Sequence, residues 1–358
     1  MSFLKNYQYQ LLLLYHLAFA AIAWYLVKDA PADAHKYCFH YVEMTNIHWS
    51  DFLKPGTDFL QFCTFPLVKY LHLPFWSGFL IFNIISGIGF YFLLKILEEQ
   101  TNFNTNFYIK SLVFTLILLP NLHFWASNIG KESPIFLLMV LLLRQILKNR
   151  IFNLPFLVLF LLLALFRPHV AFVFLLSLVI ALFWKSTLNS VKKWMVLAGF
   201  IVLVVVLYFL LAQIANLGEN PVASLVRIYH RHIAVFRTTP SYVPLDEYNL
   251  LYKFFTFYFR PLLFEQQDWR YQILGVENVI LLILVVIAML LIIKNFKKIQ
   301  WSVFWIFGIL FLFFFGLMYV FAYANFGIIV RTKTMAIPIL YVLLVQLYSV
   351  IFNNQKFN

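Results

Sequence analysis

RQILKNRIFNLPFLVLFLLLALFRPHVAFVFLLSLVIALFWK, residues 144–185, decides how this chain is folded. It holds two apolar stretches, Leu154–Phe166 and Val170–Trp184, separated by Arg167-Pro168-His169 and flanked by Arg144, Lys148, Arg150 and Lys185. Each stretch is shorter than the roughly 20 residues a helix needs to cross hydrocarbon. One long kinked span would put the two basic flanks on opposite sides of a membrane. A hairpin puts both on one side, and basic residues next to spans gather on the cytoplasmic side. The pattern therefore predicts a hairpin with Arg167-Pro168-His169 at its outer tip.

Eight further stretches read as spans: Leu11–Leu26, Phe75–Leu97, Ile109–Trp125, Pro134–Leu147, Trp194–Ile214, Val276–Lys294, Trp301–Tyr323 and Met335–Phe352. The predicted fold class is thus an all-α polytopic membrane protein of about ten transmembrane helices. Composition agrees, with 63% hydrophobic and 11% charged residues and a mean hydropathy of +0.85. At 358 residues with no long polar tract, the chain reads as a single integral membrane domain, 1–358. The run that starts at Leu11 continues apolar through Trp24–Val27, which favours a retained anchor over a cleaved signal peptide.

The same charge rule puts both termini, and Lys5, Lys95, Lys110, Lys294, Lys297, Lys298 and Lys356, inside. That side carries 13 of the 27 basic residues and only two acids, Glu98 and Glu99. The other acids fall outside, mostly in two long loops, 28–74 and 215–275, whose aromatic content predicts short helices lying against the membrane. The net charge of +13 is spread between apolar segments, with no soluble basic stripe, so nucleic acid is not an expected partner. Cys38 and Cys63 share the first loop, and their spacing leaves a disulfide open.

Several polar groups gather on the outer side. The first loop offers Asp29, Asp33, His35 and Asp58; a carboxylate just outside a span suits a general base, Asp33 first, with Asp29 and Asp58 behind it. The alternative is that these acids cap a surface helix or balance Lys28 and Lys36. Lys131-Glu132 precedes Pro134, which opens a helix, and a cation beside a helix N-terminus makes an anion site; an exposed ion pair is the plainer reading. Arg167 and His169 sit between apolar helices, where charge is costly unless paired or wet.

In the second loop, Arg227, His230, Arg231, His232 and Arg237 cluster at helical spacing. Guanidinium groups bind phosphate through bidentate, charge-assisted hydrogen bonds; an amphipathic helix on anionic headgroups would need the same composition. Arg260, Glu265, Asn325, Arg331 and Lys333 complete the outer polar set. Histidines at i, i+2 with no completing carboxylate predict no metal site, and no cofactor is expected, a divalent cation being unindicated.

An acid in the first outer loop, about ten spans and a long basic outer loop resemble the GT-C superfamily of membrane glycosyltransferases. The tracts His123-Phe-Trp125-Ala-Ser-Asn-Ile-Gly-Lys131-Glu132, Phe259-Arg260-Pro261 and Asn325-Phe-Gly327…Arg331 resemble bacterial polysaccharide-polymerase-like and lipid-linked-sugar transferase proteins. The resemblance implies an enzyme of the bacterial inner membrane that moves a sugar from a polyprenyl-phosphate or polyprenyl-pyrophosphate donor to a glycan, lipid or protein acceptor on the outer face. Adjacent acids are frequent in that family's first loop, whereas Asp29 and Asp33 lie four apart. Two other readings stand beside it: a transporter or flippase of an anionic lipid or glycan, and a non-catalytic subunit of an envelope assembly working with partner membrane proteins.

Overall fold

The structure is a computed structural model describing residues 7–30, 32–41, 44, 46–101, 103, 106–187, 191, 194–195, 198–199, 205, 221–299 and 301–353. The expected span Trp194–Ile214 lies almost wholly outside the described residues. Fifteen α-helices are named here in chain order. They are α1 Tyr7–Val27, α2 Asp33–Phe39, α3 Thr57–Phe65, α4 Phe75–Glu99, α5 Phe107–Ile117, α6 Pro120–Ala126, α7 Glu132–Leu147 and α8 Leu154–Phe166. Then come α9 Pro168–Lys185, α10 Pro221–Arg237, α11 Leu250–Phe259, α12 Trp269–Asn295, α13 Val303–Val320, α14 Phe326–Thr332 and α15 Ile337–Asn353. Among the described residues, strand pairing is limited to one antiparallel bridge between Tyr242 and Asn325.

Five of these helices, α1, α4, α9, α12 and α13, are long and apolar enough to cross a membrane. Two bent pairs raise the number to seven: α5 with α6, bent by 41°, and Phe326–Met335 with Ile337–Val350, bent by 59°. The expected continuous span Ile109–Trp125 is therefore broken. Pro120 opens α6, where its missing N–H and fixed φ start a helix but cannot continue one.

The chain forms two compact units. The first comprises Met1–Phe174, Pro261–Gln300 and Val330–Asn358. In it α1 runs antiparallel to α4: Gln8 and Tyr9 bond to Glu98, while His16 meets Asn83 and Ser86. α7 runs parallel to α4, with Ser133 bonded to the Phe82 carbonyl at one end and Arg144 beside Glu99 at the other. A Cβ on Gly89 would lie 2.7 Å from Phe136, so this glycine is what lets α4 and α7 approach, as small residues do between membrane helices. α8 is capped by Asn153, whose side chain accepts from Phe156 N–H, and returns along α7 to bring Arg167 to Glu132.

The ring of Phe174 in α9 lies 6.4 Å from those of both Phe156 and Phe160 in α8. A single kinked span would separate these rings by tens of ångströms at 1.5 Å per residue, so the chain reverses at Arg167-Pro168-His169 and the first turns of α9 run back along α8.

Polar residues sort to the two ends of this unit. Glu98, Glu99, Gln100, Arg144, Lys148 and Gln346 interact at one. Asp33, Lys131, Glu132, Arg167 and Arg331 meet at the other. Over that second end the first long loop is folded rather than loose. Tyr41, Phe52 and Phe65 form a small core, Tyr41 Oη donates to Thr64 and Thr64 Oγ1 to the Tyr37 carbonyl. Gly56 N–H donates to the Leu165 carbonyl at 2.8 Å, at a φ of +97° that favours glycine. Cys38 and Cys63 are free thiols, the first buried and pushed up to about 12 by that burial.

The second unit comprises Leu175–Arg260 and Trp301–Ile329. Here α11 packs on α13, with the Phe257 ring stacked parallel to Tyr319 and tilted against Phe315, each centroid 6.0 Å away. A Cβ on Gly316 would meet Phe254 at 2.7 Å and Tyr258 at 2.9 Å, so glycine again sets the approach of two helices. Asn249 and Ser302 cap the two helices from their side chains.

Candidate functional site

The candidate site of the first unit is built around Arg331. Its Nη1 donates to Asp33 Oδ2 at 2.7 Å, its Nη2 to Glu132 Oε2 at 3.0 Å, and its Nε lies 2.8 Å from Glu132 Oε1. Glu132 also takes Nη2 of Arg167 at 2.9 Å. The Glu132 side chain is 2% exposed, so this carboxylate is not a surface ligand but the hub that holds two guanidinium groups in place. Beneath Arg331 the ring of Trp125 lies 5.6 Å away, in cation–π range.

Lys131 precedes the hub and donates to Thr57 Oγ1 of the overlying loop at 3.0 Å. Burial and then the Arg167 charge lower its ammonium to about 8, with Glu132 acting the other way. Tyr37, one turn along α2 from Asp33, is raised by burial while Arg331 opposes the shift. Asp33, Glu132, Lys131, Arg167 and Arg331 together carry three positive and two negative formal charges, which leaves one positive charge for an anion. Asp33, with 54% of its side chain exposed, is the one accessible carboxylate of the group.

A second polar layer fixes the segment that carries Arg331. Lys333 is fully buried and donates to Asn278 Oδ1. Asn121 N–H donates to Glu277 Oε2 at 2.8 Å, and Asn121 Nδ2 to the Val330 carbonyl at 3.1 Å. Thr334 Oγ1 donates to the Arg331 carbonyl itself. Because an unpaired buried polar group is costly, these bonds hold residues 330–335 in one position. A third buried pair lies in the same unit: His16 Nδ1 and His123 Nδ1 are 3.0 Å apart, with His123 Nε2 donating to the Ile117 carbonyl.

The sequence-predicted residues divide sharply. Asp33, Lys131, Glu132, Arg167 and Arg331 come together. Asp29 does not: it is 86% exposed and faces Lys28 at 3.6 Å. His35 turns its Nε2 to the Lys28 carbonyl and its ring to Phe75, so it braces the loop. Asp58 sits half-buried in the first turn of α3, next to the Thr57 that meets Lys131, and His169 is exposed in the first turn of α9. Lys333, expected to face a substrate, is instead an internal anchor: it is fully buried, donates to Asn278 and feels the charge of Glu277. Glu265 lies in the turn after Leu262, where its N–H donates to the Leu262 carbonyl.

The remaining candidates belong to the second unit. Arg227, His230, Arg231 and Arg237 are exposed on α10, and the His232 side chain lies outside the described residues. Burial raises the Asp246 carboxyl, but the hydrogen bonds from Arg237, at 2.7 Å, and from Tyr242 outweigh it and hold it below the usual carboxylate range. Arg260 lies over the rings of Tyr248, Tyr252 and Phe326. Asn325 donates to Thr239 and accepts from Ile328 N–H, so it shapes a turn.

Trp125, Tyr37, Thr57, Asn121, Glu277, Asn278 and His16 were missed as site residues. The signal for Glu277, Asn278 and His16 was polarity inside an apolar run; Thr57 carried none. Among the described residues, no three His, Cys, Asp or Glu side chains are grouped to hold a metal ion. Compared with known proteins, the chain matches no family model, no curated protein and no solved structure.

Proposed function

We propose that the chain is a membrane glycosyltransferase of GT-C type, which takes a sugar or glycan from a polyprenyl-phosphate or polyprenyl-pyrophosphate donor. The observation that carries this reading is the accessible Asp33 carboxylate bonded to Arg331, with Lys131 and Arg167 beside it. Asp33 Oδ2 is taken by Arg331, which leaves Oδ1 to accept the proton of an acceptor hydroxyl. The acceptor oxygen forms a bond to the anomeric carbon as the bond from that carbon to the phosphate oxygen breaks. The electron pair leaves on the phosphate, and the growing charge is met by Arg331 and Lys131. The reaction would occur on the outer face of a bacterial inner membrane, among about ten spans with both termini cytoplasmic.

Reconstituted protein should consume a polyprenyl-phosphate sugar in the presence of acceptor, and Asp33→Asn should abolish this while leaving donor binding in place. Full turnover by the Asp33→Asn protein would remove Asp33 as the base. The transporter reading gains support from Glu277, Asn278, Lys333 and Asn121, buried polar groups in or next to apolar helices. Movement of an intact sugar lipid across vesicles without glycosidic cleavage would favour it.

A further inference from the structure

The end of the first unit opposite Arg331 carries a groove that the proposed chemistry does not use. It lies between α7 and α8, has a volume of about 660 Å³, and is lined by Leu141, Arg144, Lys148, Arg150, Val158 and Leu159 among others. That volume falls in the range of sites for small organic ligands. Its walls differ. Arg144, Lys148 and Arg150 supply three cations, against the single acid Glu99, which stands 3.6 Å from both Arg144 and Lys148. Two of the three positive charges are thus left over. Arg144 is held in place by the Phe92 ring, 5.1 Å from its guanidinium carbon, and its Nε is buried with no partner. The first turn of α8, through Leu154 and Pro155, adds the positive end of a helix dipole to the same wall.

The other wall is apolar and continues outward. Leu154 is 71% exposed, and Leu157, Val158 and Leu161 on α8 are exposed with it. Such a run beside a cationic rim is the arrangement of a lipid-facing helix end, where headgroup and chain meet the protein at different heights. A free phosphate would satisfy the cations and leave the leucines uncovered. A zwitterionic headgroup would bring its own cation to a rim that already has two in excess.

We propose that this groove binds one anionic phospholipid, its phosphate between Arg144, Lys148 and Arg150 and an acyl chain along Leu141, Val158 and Leu159. The site is separate from the Arg331 centre and does not depend on the transferase reading.

The full-length protein in detergent, offered equal amounts of dioleoyl phosphatidylglycerol and dioleoyl phosphatidylcholine, should retain phosphatidylglycerol in native mass spectrometry. The same lipid should raise the unfolding midpoint, whereas phosphatidylcholine and inorganic phosphate should not. Lys148→Gln with Arg150→Gln changes two solvent-reaching side chains, leaves Arg144 packed on Phe92, and should weaken phosphatidylglycerol binding about 30-fold. Lys95→Gln with Lys110→Gln, near Glu98 at the same end of the unit, should leave it unchanged. Equal retention of both lipids, an equal midpoint shift with inorganic phosphate, or an equal loss in the Lys95/Lys110 variant would overturn the site. Undiminished binding by the Lys148/Arg150 variant would do so too.

Discussion

Replacing Glu132 by Gln is the sharpest perturbation of the charge centre. The carboxylate presents two oxygens to three guanidinium nitrogens, at 2.8 and 2.9 Å on Oε1 and 3.0 Å on Oε2. Glutamine keeps one acceptor oxygen but turns its amide NH₂ towards a guanidinium, donor against donor. It also leaves Arg167 and Arg331, whose side chains are 11% and 18% exposed, without the buried negative charge between them. Removing one partner of a buried ion pair costs about 3–5 kcal/mol, mostly the penalty of the charge left behind. Against a total stability of roughly 5–15 kcal/mol, that is a large fraction. Thermal unfolding of the purified protein in detergent, followed by tryptophan fluorescence, should show Glu132→Gln melting roughly 5 °C or more below wild type. Adding Arg167→Met should recover part of the loss, because the second change removes one of the stranded charges. The resulting coupling should reach roughly 1–3 kcal/mol. A melting point within about 1 °C of wild type, or strictly additive losses, would mean that the centre is wet and that Glu132 is no hub.

Lys131 gives a pH signature. Its ammonium is lowered to about 8, so it is charged below that pH and neutral above it. Affinity for a polyprenyl phosphate should fall as pH rises through about 8, and Lys131→Arg should remove the fall; an affinity that stays flat well into the alkaline range would exclude Lys131 as a phosphate ligand. Asp33→Asn should lower sugar transfer by about 10²- to 10⁴-fold, while Asp29→Asn, at an exposed position, should leave it near wild type. Equal effects of the two would return the identity of the base to open choice. Gly275→Ala would put a Cβ 2.8 Å from Leu263 N and 2.9 Å from the Leu262 carbonyl carbon. Backbone cannot swing aside as a side chain can, so overpacking should cost about 1–3 kcal/mol in thermal unfolding. An unshifted melting curve would show that the turn after Pro261 yields.

Which parts were legible before the structure follows from how local their signals are. The chain reversal between α8 and α9 was readable because its evidence, basic flanks around two short apolar runs, lies within residues 144–185. The break between α5 and α6 was readable in principle at Pro120, yet the apolar run through Ile109–Trp125 masked it. Arg331 and Asp33 lie 298 positions apart, and Arg331 and Glu132 199, so no spacing rule could pair them. Asp33 was nominated separately, as a carboxylate just outside a span, and Arg331 as one of the outer polar groups. Lys333 shows the limit of reading such polar groups one by one. It lies two residues after Arg331 in an equally polar tract, but the turn at Lys333–Met335 sends it to Asn278 and away from the surface. Asp33 was ranked ahead of Asp29 from the sequence, and the start of α2 at Asp33 separates the two physically by aiming Asp33 at Arg331.

A density map of the protein in lipid nanodiscs containing a polyprenyl phosphate sugar bears most directly on the proposed role of the Arg331 centre. The phosphate should lie within hydrogen-bond distance of Arg331 or Lys131, with the sugar against Asp33. A phosphate seated elsewhere, with Arg331 still closed on Asp33 and Glu132, would contradict a transferase built on these residues.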